Sequence, residues 1–234
     1  MYTYLLLNIG TLLGPLGLSF DKKVAFASRW KALFPSIALT GLVFILWDVW
    51  FTEMGIWSFN PDYLIGVYFL GLPLEEWLFF LTVPYACVFI YDCVKAYFAR
   101  DYFQKYATQA AWGLFTLLII IGALHYDHWY TAVTFFGLAG LLLVNLVVWK
   151  TPYMGWFFMS YLIALIPFFL VNGVLTAMPV VEYNDLENLG FRLGTVPADD
   201  TMYNMLLLLM NINWYEYFQS RFALPALRPQ GAHV

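Results

Sequence analysis

The sequence predicts an all-α, polytopic membrane protein of about seven transmembrane helices, built from two parallel three-helix repeats. Three observations carry that expectation. The composition is 62% hydrophobic and only 11% charged, with a mean hydropathy of +0.71, as for a chain whose solvent is mostly lipid. Apolar runs of roughly spanning length recur along it, and the basic residues between them alternate from rich to poor. Sliding the chain against itself by 124 residues, without a gap, superposes Phe34 on Phe158, Phe44 on Phe168, Thr52 on Thr176, Asn60 on Asn184, Gly66 on Gly190, Pro73 on Pro197 and Tyr91 on Tyr215.

A helical span needs about 20 residues, and seven runs meet or approach that length: 2–18, 32–51, 74–91, 107–124, 129–149, 156–177 and 201–218. The first lacks a basic leader and a small-residue cleavage site, so it reads as a retained helix and not as a signal peptide. The second is followed by an apolar piece, 63–70, too short to span and broken by Gly71-Leu72-Pro73, which suits an interfacial or re-entrant segment. Pro73 then opens the third span, since proline at a helix start sacrifices no useful amide. The fourth has no counterpart in the 124-residue register; as an extra crossing it lets both three-helix units share one orientation. The fifth to seventh repeat the first three, but the loop before the seventh, 179–196, carries Glu182, Asp185, Glu187 and Arg192 and has diverged from its partner. The expected division is therefore a first unit at 1–106, a connecting helix at 107–128 and a second unit at 129–234. The tail from 222, with Pro225, Pro229 and Gly231, has no apolar period and is expected to be disordered.

Lys22, Lys23, Arg29 and Lys31 follow the first span, Lys95, Arg100 and Lys105 the third, Lys150 the fifth, and Arg221 and Arg228 the seventh. Only Arg192 of the 11 basic residues falls on the other side. The positive-inside rule then sets the amino terminus outside and the carboxyl terminus in the cytoplasm. A net charge of -4 without a basic stripe gives no reason to expect nucleic acid as a partner. Cys87 and Cys93, six apart on one helix, imply neither a disulfide nor a metal site.

The chemistry concentrates in a doubled motif, Pro73-Leu74-Glu75-Glu76 and Pro197-Ala198-Asp199-Asp200, each at the mouth of a span. Acids after a helix-opening proline are ordinary helix-start residues that favour the positive end of the dipole. That reading does not explain why both members are acidic in both copies at a membrane edge, where one would serve. An acid of such a pair that faces the bundle interior keeps its proton near neutral pH, as a general acid requires. Asp48 sits a turn inside the second span beside Trp47, with neutral Asn172 at the matching position; either residue could serve a helix contact or a site. Asp92 and Glu216, beside Tyr91 and Tyr215, read as interfacial anchors.

Trp47, Trp50, Trp57, Phe59, Trp77, Phe79 and Phe80 crowd the outer edge. Most such rings form an aromatic belt, while some could line a cavity and stabilise a cation. His125-Tyr126-Asp127-His128 has no repeat counterpart and reads as a solvated turn, not as a metal site. Nucleotide-binding, serine-hydrolase and zincin motifs do not occur, and the seventh span lacks the lysine a retinal Schiff base needs. No cofactor and no metal is expected.

Trp47-Asp48, Gly55-Ile56-Trp57-Ser58-Phe59-Asn60-Pro61, Gly66, Leu72 to Glu76, Val196 to Asp200 and Tyr215-Glu216-Tyr217 together resemble the integral-membrane carotenoid cyclase family, the heterodimer-type lycopene β-cyclases and their fused single-chain relatives. Asp199 departs from the family's more usual glutamate at that place. The resemblance implies cyclisation of the linear ψ-ends of lycopene, or of a related linear carotenoid, to β-ionone rings, an isomerisation with no net redox change. It implies Glu75, Glu76, Asp199 and Asp200 as the acid-base residues, and Asp48, Trp47, Trp57, Phe59, Asn60, Phe79 and Asn172 around the substrate. The implied partners are membrane lipid and other enzymes of the carotenoid pathway. A non-catalytic carrier or scaffold for an isoprenoid lipid is the alternative, although transporters more usually show inverted repeats and broken mid-span helices.

Topology reporters fused after Lys105 and at the carboxyl terminus should read cytoplasmic, and one inserted in 179–196 should read external. A cytoplasmic signal from that loop would overturn the seven-span arrangement.

Overall fold

The structure is a computed structural model that describes residues 2–225. Most of the tail expected to be disordered lies outside the described residues. Seven helices dominate: α1 (Thr3–Leu18), α2 (Trp30–Glu53), α3 (Leu74–Tyr97), α4 (Gln104–Leu124), α5 (Trp129–Leu143, continued by a wider π turn over Val144–Val148), α6 (Met154–Ala177) and α7 (Ala198–Arg221). Five helical segments, Phe26–Glu53, Leu74–Tyr97, Gln104–Leu124, Trp129–Val148 and Met154–Ala177, are long and apolar enough to cross a membrane. α1 is apolar but short, about 24 Å at 1.5 Å per residue.

α7 is a different kind of helix. Its interior faces carry Asn204, Asn211 and Asn213 as well as Leu206 to Leu209, and nearly all of these are buried because α7 packs against α2, α5, α3 and α6. A helix enclosed by other helices can hold polar groups that lipid would not tolerate, which is why hydropathy alone singles it out less than the others. Exposed apolar rows lie instead on the outer helices, for example Leu39, Leu42, Val43 and Leu46 of α2, or Leu162, Ile166 and Leu170 of α6.

Polar side chains tie neighbouring helices together where no water competes. Asn8 of α1 donates to the Glu75 carbonyl at 2.9 Å and accepts from Thr82 Oγ1 at 2.7 Å, joining α1 to α3 twice. Ser36 of α2 donates to Asn211 of α7 at 3.0 Å.

At the strand-bearing end, the segment expected to be interfacial or re-entrant is folded back on itself. A one-turn helix, Pro61–Tyr63, leads into the hairpin β2 (Tyr68–Phe69) and β3 (Leu72–Pro73). Its two turn residues, Leu70 and Gly71, both have positive φ (51° and 80°), as a two-residue turn of this hand requires. The second loop forms the corresponding hairpin, β5 (Arg192–Leu193) with β6 (Val196–Pro197), where Gly194 alone takes the left-handed conformation. The remaining strands, β1 (Trp57–Phe59) and β4 (Val181–Tyr183), pair antiparallel with each other, Ser58 opposite Glu182. The two diverged loops are thus stitched together.

Several contacts occur in pairs offset by 124 residues. Leu74 N–H donates to Val67 O at 2.8 Å, and Ala198 N–H to Phe191 O at 2.9 Å. Asn60 N–H reaches Val180 O at 3.0 Å while Asn184 N–H reaches Ile56 O at 2.9 Å. At the opposite end, Tyr91 donates to Glu216 and Tyr215 to Asp92, so each tyrosine of one half holds the acid of the other. Asp92 is fully buried and faces Arg29 at 3.6 Å; Glu216 receives Lys95 at 2.6 Å. These acids, expected as interfacial anchors, cross-brace α3 and α7 instead.

Removing either phenol, as Tyr91→Phe or Tyr215→Phe, should lower the stability of the detergent-solubilised protein by about 1–3 kcal/mol, since each leaves a carboxyl short of a donor. Thermal unfolding of both variants beside the wild type measures it.

Candidate active site

The two acid pairs lie at the first turns of α3 and α7, and all four side chains are buried. Within each pair the two acids do different things. Glu75 Oε1 accepts the Ile65 N–H at 2.7 Å, and Asp199 Oδ2 accepts the Leu189 N–H at 3.1 Å, ten residues back in each case. Asp199 also receives the Thr131 hydroxyl at 2.5 Å. The first acid of each pair therefore fastens the loop that precedes it onto the helix start.

The second acids turn inward. Glu76 and Asp200, one from each half, line a single cavity, and Asp48 of α2 lines it too. Phenols supply their hydrogen bonds. Tyr4 donates to Glu76, and Asp200 receives both Tyr130 at 2.5 Å and Tyr183 at 2.8 Å. Asp48 Oδ1 accepts the Trp57 indole N–H at 2.5 Å, while its Oδ2 is buried without a partner. Among the described residues, no lysine, arginine or histidine lines the cavity. The phenol of Tyr183, in strand β4, is pushed well above its ordinary pKa, first by burial and then by the neighbouring Asp200, so it is a standing O–H donor.

Aromatic rings enclose the acids. Trp57, Phe59, Phe79, Phe168 and Tyr203 line the cavity, and Trp57 packs edge-on against Tyr130 and Tyr203 at 5.2 and 6.0 Å between centroids. The faces of such rings attract a cation held within about 6 Å through their quadrupole. The β1 and β4 pairing places Trp57 and Tyr183 over the cavity, which the local sequence around either residue does not specify.

Of the residues singled out from sequence, Asp48, Trp57, Phe59, Glu76, Phe79, Asn172 and Asp200 come together around this space. The others stand outside it. Glu75 and Asp199 hold loops, Asn60 caps the 61–63 turn by accepting the Asp62 N–H at 3.0 Å, and Trp47 packs behind the wall against Tyr203 at 5.2 Å. Sequence reasoning missed Tyr4, Tyr130, Tyr183, Tyr203, Phe168 and Asn204. A signal was available for two of these: Tyr183 matches Phe59, and Tyr203 matches Phe79, so the second half carries a hydroxyl where the first carries hydrogen. His128, in the turn read as solvated, packs its Nδ1 2.7 Å from Asn188 O.

A buried cluster of carboxyls, phenols and aromatic rings, with no basic side chain among its described lining residues, is suited to moving protons onto and off an apolar molecule. The family model for lycopene cyclase matches residues 1–94 and 127–218. The chain belongs to the lycopene cyclase family. A bifunctional lycopene cyclase/phytoene synthase of Aspergillus niger is 25% identical to it over 121 residues, or 50% of this chain and 20% of that relative. The match thus covers about a fifth of the curated relative's length. No solved structure matches the chain.

Glu75→Ala should leave the Ile65 N–H without its acceptor and cost roughly 1–3 kcal/mol. Limited proteolysis should then cut within 61–73 faster than in the wild type, and unchanged protection would show that the Glu75 bond does not hold that loop.

Proposed function

We propose that this protein is a lycopene β-cyclase that closes linear ψ-ends to β-ionone rings inside the membrane, an intramolecular isomerisation with no net redox change. The observation that carries the reading is the convergence of Glu76, Asp200 and Asp48 on one aromatic-lined cavity. Glu76 donates a proton to the terminal double bond, on the carbon that becomes a ring methylene. The neighbouring carbon becomes a tertiary cation, and the electron pair of the internal double bond closes the ring onto it. The cation then resides next to the carbon that joins ring to chain. Asp200, held by two phenols, removes the proton from that joining carbon, and the electrons left behind form the β double bond. Trp57, Phe79 and Tyr203 stabilise the cation between the two transfers. One proton enters and one leaves, so the balance calls for no oxidant or reductant, and acid-base groups of this kind typically supply 10²–10⁴-fold each.

Glu75 and Asp199 act through position. By fastening 65 and 189 to the starts of α3 and α7, they fix where the next residue on each helix points.

The membrane arrangement belongs to the same proposal. α1 and α7 complete seven crossings with the five apolar helices, the strand-bearing end lies outside and the carboxyl terminus lies in the cytoplasm. The basic residues between helices support that sidedness. The chain divides into units 1–106 and 129–234 joined by 107–128, related as two parallel repeats. The paired contacts 124 residues apart and the two family matches on either side of 95–126 support this division. Lycopene or a related linear carotenoid enters from the lipid, and other carotenoid-pathway enzymes are the natural neighbours.

Glu76→Gln and Asp200→Asn should each lower ring formation by about 10²-fold or more in cells that accumulate lycopene, with the protein still in the membrane, whereas Glu75→Gln should cost less than tenfold. Pigment analysis reads the outcome, and wild-type ring yield from both cavity variants would sink the acid-base assignment. In D2O each ring should gain one deuterium, at the methylene beside the new quaternary carbon; a ring without solvent deuterium would exclude the mechanism.

A further inference from the structure

A second cavity adjoins the acid cavity and shares Phe79, Phe168, Asn172 and Asn204 with it. Its walls run along α3 through Val83, Ala86 and Ile90 and along α6 through Pro167 and Val171, with Thr11 of α1 at its edge. No acidic or basic residue lines it. Thr11, Ile90 and Pro167 are partly exposed and lie within the lengths of their helices, so the mouth opens sideways, toward hydrocarbon. From Phe79 to Ile90 the groove follows α3 for about 16 Å at 1.5 Å per residue, roughly half of a ~30 Å hydrocarbon core.

The positions 124 residues away do not repeat this groove. Val171 corresponds to Trp47, Asn204 to Phe80, Ala86 to Met210 and Ile90 to Trp214. Phe44, the counterpart of Phe168, stacks on Trp47 at 5.5 Å and meets Tyr203 edge-on at 5.1 Å, with Phe80 at 6.2 Å. Bulky rings occupy the space that small residues leave free in the other half.

We propose that the α1, α3 and α6 groove is the single route and seat for the polyene chain: one end group enters the acid cavity while the adjoining half of the chain lies along α3. The equivalent route beside α2 and α7 is closed by Trp47, Phe44 and Phe80. This rests on the cyclase reading for the occupant. Continuity with the acids, an apolar wall and a lateral mouth fit a linear hydrocarbon arriving from lipid. A water-borne ligand would have no path to that mouth. Val171, Ala86 and Ile90 are accordingly substrate-seating residues, and Val171 lines the groove next to Asn172, which both cavities share.

Val171→Trp, which installs the ring found at the matching position of the closed side, should lower ring formation at least tenfold, whereas Val43→Trp, on an exposed face of α2 away from both cavities, should stay within twofold of wild type. Wild-type yield from Val171→Trp overturns the proposal. Because that variant could fail to assemble, a second measurement stands apart from catalysis. A photoreactive benzophenone side chain at position 90 of the Glu76→Gln protein should capture lycopene, and the same group at position 43 should capture at least tenfold less. Equal capture at both positions, or none at 90, overturns the groove. Absence of rings in the wild type, with selective capture at 90, would instead reject the cyclase reading and leave the seat standing.

Discussion

Carboxyl groups enclosed by an apolar bundle must find every hydrogen-bond partner within the protein, and this constraint organises the structure around α7. A lipid-facing helix could not carry Asp199, Asp200, Asn204, Asn211 and Asn213; a helix wrapped by α2, α3, α5 and α6 can. The surrounding helices answer with Tyr130, Thr131 and Ser36, and the outer loops with Tyr183 and the Leu189 N–H. Removing a buried donor orphans its acceptor at a cost comparable to a large share of a domain's net stability. The polar groups therefore fix the packing of the helices as firmly as the apolar ones fill it.

A division of labour inside each acid pair follows from helix geometry. Adjacent residues on a helix point about 100° apart, so two neighbouring acids at a helix start cannot face the same space. Glu75 and Asp199 turn to the loop that precedes them, and Glu76 and Asp200 turn to the bundle interior. The doubled motif thus combines a fastener with a chemical group. This resolves the puzzle of two acids where a helix start needs only one.

Much of the architecture was legible in the sequence because lipid imposes a simple code. Apolar runs gave the helices, with boundaries that mostly fell short: α3 continues from 91 to Tyr97 and α7 begins at Ala198, since polar and aromatic residues at a membrane edge extend a helix that a hydropathy pattern cuts off. The 63–70 piece was recognised as non-spanning, but its hairpin depends on Leu70 and Gly71 taking left-handed conformations, and leucine is not a residue that announces one. At the site, the acids and Asp48 stood out by cost and position. The phenols did not, because Tyr4 and Tyr130 reach the acids from distant helices and fall on His128 and Leu6, not on tyrosines, in the 124-residue register. Tyr91 and Tyr215 illustrate the same limit, as their exchange of acids across the two halves appears only when α3 and α7 are packed together.

The filled space around Phe44, Trp47 and Phe80 has a consequence for a substrate with two identical ends. If the proposed groove is the one entrance to one set of acids, the molecule cannot be processed at both termini in a single visit; it must withdraw, turn end for end in the bilayer and be admitted again. A species closed at one end and open at the other is then an obligatory free traveller in the membrane, in competition with fresh hydrocarbon for the same doorway. The proportion of half-finished to finished pigment becomes a matter of traffic, governed by the supply of new chains relative to enzyme, with no second centre needed to set it.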